Sequence, residues 1–547
     1  MTVFSVLERL SFDIRPPDIT SFLESDIMKR LKICIINPKF EPSYWGMDYA
    51  LPLYPGNKRC TMTTGALPHL AGLVPEHDTY LLDENVETID FDFLGKFDIV
   101  GVTGMVVQKE RMKKILLRLR DTEVVTVVGG AYASVDEKFF SGLCNVVFSG
   151  EADETWPEFV AAFAAGKTYK GLYRQENRTV MTSLPKPRYD LLKVDRYASG
   201  SVQFSRGCPF QCEFCDIIVT FGRRSRTKDP HQVMAELEDM RKVGFFSCFI
   251  VDDNFIGDKK AAKELLRLII PWQRRHGYPL RLTTEASVNL ADDTELMNLM
   301  YEANFRSVFI GIETPRVASL QGTKKYQNTA GGSLEEKIAR IRNAGLDING
   351  GFIIGFDQDD ITVMEEQFRF IQDNGILLAM VGMLVAVPKT PLFDRLEKEG
   401  RLRLEDPNCN IVPKLMTPAE LQNGYWELLT RLYSPEAFMD RYFRVFRFPE
   451  FNRRRAEICT LANEGKLIPT LVYGLILLWN VFRALIRDGS LRSVGSVYIR
   501  FFFTRSIGYR NDIVGFAQYM NRCATHWHFY KFTREGVAGR LRLFNSG

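Results

Sequence analysis

The 547-residue sequence predicts an α/β protein in three parts: a doubly wound parallel sheet over residues 30–170, a partial (β/α)6 barrel over 200–400, and a mainly helical, basic region over 401–547. Residues 1–29 read as an extension with a short helix and a Pro16-Pro17 break, and 171–199 as a linker. Three observations carry this division. Continuous apolar strands alternate with helical segments from Leu31 to about residue 400, the pattern of parallel sheets covered on both faces. The alternation is interrupted once, where Pro185-Lys186-Pro187 and Tyr189-Asp190 mark a connection. Beyond residue 400 the strand rhythm stops and the charge changes. Residues 441–547 hold eighteen Lys/Arg against six Asp/Glu, although the whole chain carries only +4. Such asymmetry points to an anionic partner for the C-terminal region, either membrane headgroups or nucleic acid.

Hydrophobic content of 46% and charged content of 25% suit a chain with large buried cores. The ten cysteines do not form a disulfide framework. Three are clustered, and Cys34, Cys60, Cys144, Cys248, Cys409, Cys459 and Cys523 are scattered, several in apolar runs, which suits a reducing compartment. The first residues carry Glu8 and Asp13 and no uninterrupted apolar core, so no signal peptide is expected.

In the first unit, LKICIINP is a strand ending at Asn37-Pro38, ALPHLAGLVP a short helix and DTYLLDEN a second strand. FDIVGVTGM is the third strand, a helix follows over 109–120, VVTVVGGAYA is the fourth, and NVVFSGEADET closes the series. Doubly wound sheets take ligands at the carboxyl ends of their strands, where Thr103-Gly104, Gly129-Gly130 and Gly150-Glu151 fall. Each glycine pair alone reads more simply as a tight turn. In the second unit, SVQFSRGCPF, SCFIVDDNF, LRLTTEA, SVFIGIE, DINGGFIIGF and LLAMVGMLVAV are six strands. Between them, Asp229-Pro230-His231-Gln232 caps one helix, a second spans 259–276, Asp292 with Glu295 opens a third, and Ser333 with Glu336 forms another capping box.

The chemistry sits in ten residues, RGCPFQCEFC, where Cys208, Cys212 and Cys215 form a C-x3-C-x2-C array. Three soft thiolates on one short loop suit an iron-sulfur cluster, and three ligands for four irons leave one iron open for chemistry. A zinc site would want a fourth Cys or His at matching spacing, and His231 lies downstream in a helix start.

This loop, with Phe214 before its third Cys, resembles the signature of the radical S-adenosylmethionine superfamily, whose partial barrel matches the predicted one. The resemblance implies a 4Fe-4S cluster on Cys208, Cys212 and Cys215. It also implies S-adenosylmethionine contacts at Phe214, at the strand-end carboxylates Asp252, Asp253, Glu285 and Glu313, and at Gly355 in GGFIIG. Taken singly, such carboxylates are as readily helix caps or solvated loops, and Arg206 is either a cation near the cluster or a surface charge. The glycine turns in front of the cluster loop resemble the Rossmann-like cobalamin-binding domain of cobalamin-dependent members, which implies cobalamin contacts at Thr103, Gly104, Gly129, Gly130, Gly150 and Glu151. The D-x-H-x-x-G segment that supplies an axial His in other cobalamin proteins is missing, and His69 and His77 stand in a different context. The resemblance therefore implies cobalamin without a protein His ligand.

Past residue 400, Thr417-Pro418-Ala419-Glu420 opens a helix reaching Tyr433. Residues 467–482 carry no charge and lie between Lys466 and Arg483. The run is shorter than the roughly twenty residues a span needs. It reads as a buried core helix or as an interfacial one, with Trp479, Arg483, Arg487 and Arg492 at a headgroup boundary. His526 and His528 are ligand candidates or ordinary packing residues.

The layout as a whole resembles the branch that includes hopanoid C-methylases and bacteriochlorophyll side-chain methylases. That branch implies methyl transfer from S-adenosylmethionine through cobalamin to a substrate carbon, activated by hydrogen loss to a 5′-deoxyadenosyl radical. With a basic, aromatic C-terminal region, the expected reaction is C-methylation of an unactivated carbon in a hopanoid-like polycyclic isoprenoid lipid. A tetrapyrrole side chain is the nearest alternative, and a cobalamin-assisted radical cyclase or rearrangement enzyme the next. An RNA-modifying methylthiotransferase would hold a second cluster on N-terminal cysteines, and the surroundings of Cys34, Cys60 and Cys144 do not match it, so no nucleic acid is expected. No catalytic acid or base is identified. The expected partners are a hydrophobic or lipid substrate and an external electron donor of the flavodoxin or ferredoxin type. The expected location is the cytoplasm, with peripheral contact at the cytoplasmic membrane face.

Overall fold

The computed structural model describes residues 29–43, 46–404, 409–463, 466–505 and 512–540. The expected N-terminal helix with its Pro16-Pro17 break, and the side chain of Cys459, lie outside the described residues. The strands are β1 Lys32–Asn37, β2 Cys60–Met62, β3 Asp78–Asp83, β4 Ile99–Thr103, β5 Val125–Gly129, β6 Val146–Ser149, β7 Leu172–Arg174, β8 Tyr197–Val202, β9 Ser205–Arg206, β10 Arg226–Thr227, β11 Ser247–Ile250, β12 Arg281–Ala286, β13 Phe305–Glu313, β14 Asp347–Ile354 and β15 Leu378–Met383.

Six of them form the first sheet in the order β3-β1-β4-β5-β6-β7, every pair parallel. The apolar runs read from the sequence are its buried strands: Ile33, Cys34 and Ile36 in β1 and Ile99 and Val100 in β4 are fully enclosed. The cores on its two faces are separate, as a doubly wound sheet requires.

The second sheet runs β15-β14-β13-β12-β11-β8-β2, again all parallel, and is the expected partial barrel with one strand more than predicted. The additional strand is β2. It lies between β1 and β3 in sequence, inside residues 30–170, yet pairs with β8, Cys60 opposite Tyr197 and Met62 opposite Ser199. The two units therefore share chain as well as surface.

Local capping signals fall where the residues place them. Asp229 with Gln232, Ser333 with Glu336 and Thr417 with Glu420 each form a capping box. One start is shifted. Asp292 ends a short 3-10 turn, Val288–Asp292, and Asp293 is the N-cap of Thr294–Glu302, its carboxylate accepting from Leu296 N at 3.0 Å.

The C-terminal region is helical: Pro418–Leu432, Pro435–Arg444, Pro449–Asn463, Leu467–Arg487, Ser496–Arg505 and Ile513–Val537. It is docked on the barrel edge, where Tyr433 Oη donates to Ala379 O at 2.7 Å. Both histidines raised as ligand candidates are packing groups. His526 is enclosed between Tyr498 Oη at 2.5 Å and Tyr433 O at 3.1 Å, and burial pushes its pKa down to about 3. His528 meets Ser43 O at 3.0 Å and accepts from Tyr49 N at 3.3 Å. Residues 467–482 are not a core helix, because most of their large apolar side chains are exposed.

Candidate active site between the two sheets

The cluster loop hangs from a two-stranded neck. β9 and β10 pair antiparallel, Arg206 opposite Arg226, and Cys208 N donates to Gly222 O at 3.2 Å. Gly207 sits at the pinch with φ 92°, where a Cβ would come within 2.5 Å of Arg224 O. Only glycine fits there. Two of the strand-end carboxylates brace the same neck. Asp252 accepts from Phe204 N at 2.8 Å, Ser205 N at 2.9 Å and Ser205 Oγ at 2.7 Å, and Asp253 accepts from Gly207 N at 2.7 Å.

Cys212 is buried and Cys208 and Cys215 are partly so. Burial pushes the Cys215 thiol up to about 12 and raises Cys208; a metal ion beside such a thiol favours the thiolate. Among the described residues no three His, Cys, Asp or Glu side chains converge on one ion. A four-iron cluster does not ask that of them, because each thiolate takes its own iron. Amides are already aimed at two sulfurs: Asn254 Nδ2 lies 3.8 Å from Cys208 Sγ and Gln327 Nε2 lies 3.5 Å from Cys212 Sγ. The loop suits a cluster and does not suit a single zinc.

The remaining predicted positions fall into two groups attached to this loop. One is acidic. Asp252 is buried, and Asp253 and Glu285 are partly so. Burial first, then their mutual repulsion, pushes Glu285 and Asp252 up to about 7; burial and the nearby Asp216 carboxylate push Asp253 up to about 6. Such a pocket is short of positive charge and complements a cationic ligand such as the ammonium of S-adenosylmethionine. In the other group, Phe214 stands 5.9 Å from the Phe356 ring and 5.8 Å from Lys325 Nζ, and Lys325 pairs with Glu313. Burial would lower the Lys325 pKa, but Glu313 and the Cys212 sulfur outweigh it and raise it. Gly355, next to Phe356, has φ 101° and donates from its N to Asp359 at 3.0 Å.

Beside the neck, a cavity of about 300 Å³ opens between the carboxyl edge of the first sheet and the barrel. Thr103, Gly129, Gly130, Gly150 and Glu151 line it from one side and Ser201, Gln203 and Arg206 from the other. Gly104 stands behind Gly130, whose φ is 92° and whose added Cβ would lie 2.5 Å from Thr103 Oγ1. A cavity walled by side-chain-free turns at parallel strand ends is where such sheets take ligands.

A buried charge network closes the cavity toward the cluster. Arg206 donates to Glu151 at 3.1 Å and to Asp153 at 2.6 Å, and Arg226 donates to Glu151 at 2.9 Å. Arg206 is therefore not a surface charge but a buried tie between the units. Thr179 Oγ1 adds a bond of 2.6 Å to Asp153. His69, set apart by its sequence context, lines the cavity, with Nε2 2.6 Å from Asp153 and 3.5 Å from Arg206. Burial lowers the His69 pKa. Burial also opposes ionisation of Asp153, but His69 and Arg206 overcome it and hold that carboxyl far below the usual range. Asp153, Arg226, Lys325, Gln327 and Asn254 escaped the sequence reading. Only Asp153 carried a signal, its place two residues after Glu151.

Residues 202–371 match the model of the radical SAM superfamily and 390–540 a domain of unknown function, DUF4070. The chain is 37% identical over 530 residues to an uncharacterized methyltransferase of Synechocystis sp., covering 94% of this chain and 95% of that one. It is 34% identical over 423 residues to hopanoid C-2 methylase of Rhodopseudomonas palustris, covering 77% and 80%. In fold it matches the cobalamin-dependent S-adenosylmethionine radical enzyme OxsB, solved with aqua-cobalamin and S-adenosylmethionine bound. The TM-score is 0.58 at 15% identity over 94% of this chain and 81% of that one.

Proposed function

The chain belongs to the radical SAM methyltransferase family that includes hopanoid C-2 methylase, and from that premise we propose that it methylates an unactivated carbon of a polycyclic isoprenoid lipid of hopanoid type. The observation that carries the reading is the kinship with hopanoid C-2 methylase, which extends over four-fifths of that enzyme and past the barrel. When bound, the cluster with S-adenosylmethionine supplies a hydrogen-abstracting radical and cobalamin supplies the methyl group.

This chain's residues do the holding. Cys208, Cys212 and Cys215 carry the cluster. The acidic group of Asp252, Asp253 and Glu285 receives the positive end of S-adenosylmethionine, with Phe214, Glu313 and Gly355 around the rest of the molecule. Thr103, Gly104, Gly129, Gly130, Gly150 and Glu151 would form the cobalamin cradle, and His69 in the cavity lining is held through Nε2 by Asp153 and Arg206. The Arg206 network keeps the cradle and the cluster loop in fixed register and excludes water between them. The partners are the lipid and an external electron donor of the flavodoxin or ferredoxin type. The enzyme works in the cytoplasm, at the inner membrane face.

The test is a competition. Anaerobically reconstituted enzyme is offered a pentacyclic hopanoid lipid and a chlorophyll-type tetrapyrrole together. Mass gain of one CH2 in the lipid is expected; gain in the tetrapyrrole alone overturns the substrate class.

A further inference from the structure

The helix Leu467–Arg487 leaves one whole face to solvent. Its buried positions Gly474, Leu477, Val481 and Leu485 pack on Ile513–Val537, and a Cβ on Gly474 would lie 2.9 Å from the Phe516 ring. On the other side, Ile468, Leu471, Leu475, Trp479, Phe482 and Ile486 recur every three or four residues, which aligns them in one stripe. They are between 36% and 77% exposed. At 1.5 Å per residue the stripe runs about 30 Å. The following helix adds Ile499 and Phe503, each 58% exposed. Scattered exposed leucines are ordinary; a continuous stripe of this length marks an interaction surface.

The charge around it indicates what the stripe meets. Arg483 and Arg487 stand on its flank and Arg492 follows, all exposed. Among the described residues no carboxylate lies within ion-pair distance of these three. The carboxylate at the helix end, Asp488, is already taken by Lys531 at 2.6 Å and Arg534 at 2.9 Å. Unpaired arginines beside an apolar stripe, with an exposed Trp among them, match the layered chemistry of an anionic bilayer surface: acyl chains below, phosphates at the edge. The helix it packs on, Ile513–Val537, carries Arg522, Lys531, Arg534 and Glu535, which favours a helix lying at the surface over one that spans. A second copy of the chain would bring like charges together.

We propose that this face docks the protein on anionic phospholipid, with the helix lying along the bilayer surface, the stripe in the acyl boundary and the arginines at the phosphates. The inference rests on the surface alone, so it stands or falls separately from the methylation reading.

The test is flotation of the full-length protein with vesicles of phosphatidylcholine alone or mixed with phosphatidylglycerol. The wild type floats with the anionic vesicles, and high salt weakens the association several-fold. Leu475→Glu with Trp479→Glu lowers it at least tenfold, as does Arg483→Glu with Arg487→Glu for the anionic vesicles. All these side chains are exposed, so thermal unfolding midpoints of the variants stay at the wild-type value and show that folding is intact. The proposal is overturned if the wild type stays with the unbound fraction in both mixtures, or if the variants float like the wild type. It is also overturned if the stripe variants abolish a concentration-dependent dimer while leaving flotation unchanged.

Discussion

Arg206 Nη1 donates to Asp153 Oδ2 at 2.6 Å, across 53 residues of chain. The bond joins the residue two before the first cluster cysteine to the strand-end turn of the other sheet. Both side chains are nearly enclosed, 8% and 5% exposed. A buried ion pair is costly to leave half-made, about 3–5 kcal/mol when one partner is removed. Arg206→Ala is therefore expected to destabilise the fold by about that much and Arg206→Lys by less, because the ammonium keeps the positive charge although it cannot fork to two carboxylates. Thermal or denaturant unfolding measures it. Equal stability of wild type and Arg206→Ala contradicts the tie.

Gly130 tests the cavity. Its φ of 92° and the 2.5 Å approach of an added Cβ to Thr103 Oγ1 mean that Gly130→Ala carries about 1–3 kcal/mol of backbone strain. The same variant should retain less cobalamin after gel filtration, read from the absorbance of the corrin. Retention at the wild-type level would remove the turn from the cofactor site.

The acidic group gives a pH dependence of known sign. Folding raises Glu285 and Asp252 to about 7 and Asp253 to about 6. Carboxyls with a raised folded-state pKa penalise the folded protein most above that pKa. The penalty is relieved as pH falls through 7 and 6 and is gone below the unfolded value near 4. Cofactor-free protein should thus gain stability from these groups between about pH 8 and pH 6. Glu285→Gln should flatten that slope in thermal melts; an unchanged slope means the carboxyl titrates normally.

Gln327 should tune the cluster. Its amide points at Cys212 Sγ from 3.5 Å, and hydrogen bonds to cluster sulfurs favour the reduced state. Gln327→Leu is expected to move the reduction potential to more negative values at unchanged iron content, followed by electron paramagnetic resonance during a redox titration. An unmoved potential shows that the amide plays no part.

What could be read in the sequence was local. The cluster cysteines lie within eight residues of one another, and each capping box is complete within four, so spacing alone exposed them. The parallel sheets were legible because their buried strands are continuous apolar runs. The rest depended on partners distant in sequence. β2 is three residues of mixed polarity, and only its pairing with Tyr197 and Ser199 makes it a barrel strand. Adjacent aspartates at 292 and 293 offer two equivalent helix caps, and packing chose the second. Lys325 looks like any surface lysine until Glu313, itself at φ 63°, is brought against it. For Leu467–Arg487, hydropathy is the same whether the helix is buried or bare, so only the packing of Gly474 and Leu477 tells which face is covered.

The central claim, that a radical source and a methyl donor meet at the junction held by Arg206, is tested most directly with methyl-deuterated S-adenosylmethionine, reduced enzyme carrying cluster and cobalamin, and hopanoid lipid. The account predicts labelled methyl in the lipid, accompanied by 5′-deoxyadenosine, and loss of both in Cys212→Ala. Formation of 5′-deoxyadenosine with no label entering any product would contradict it.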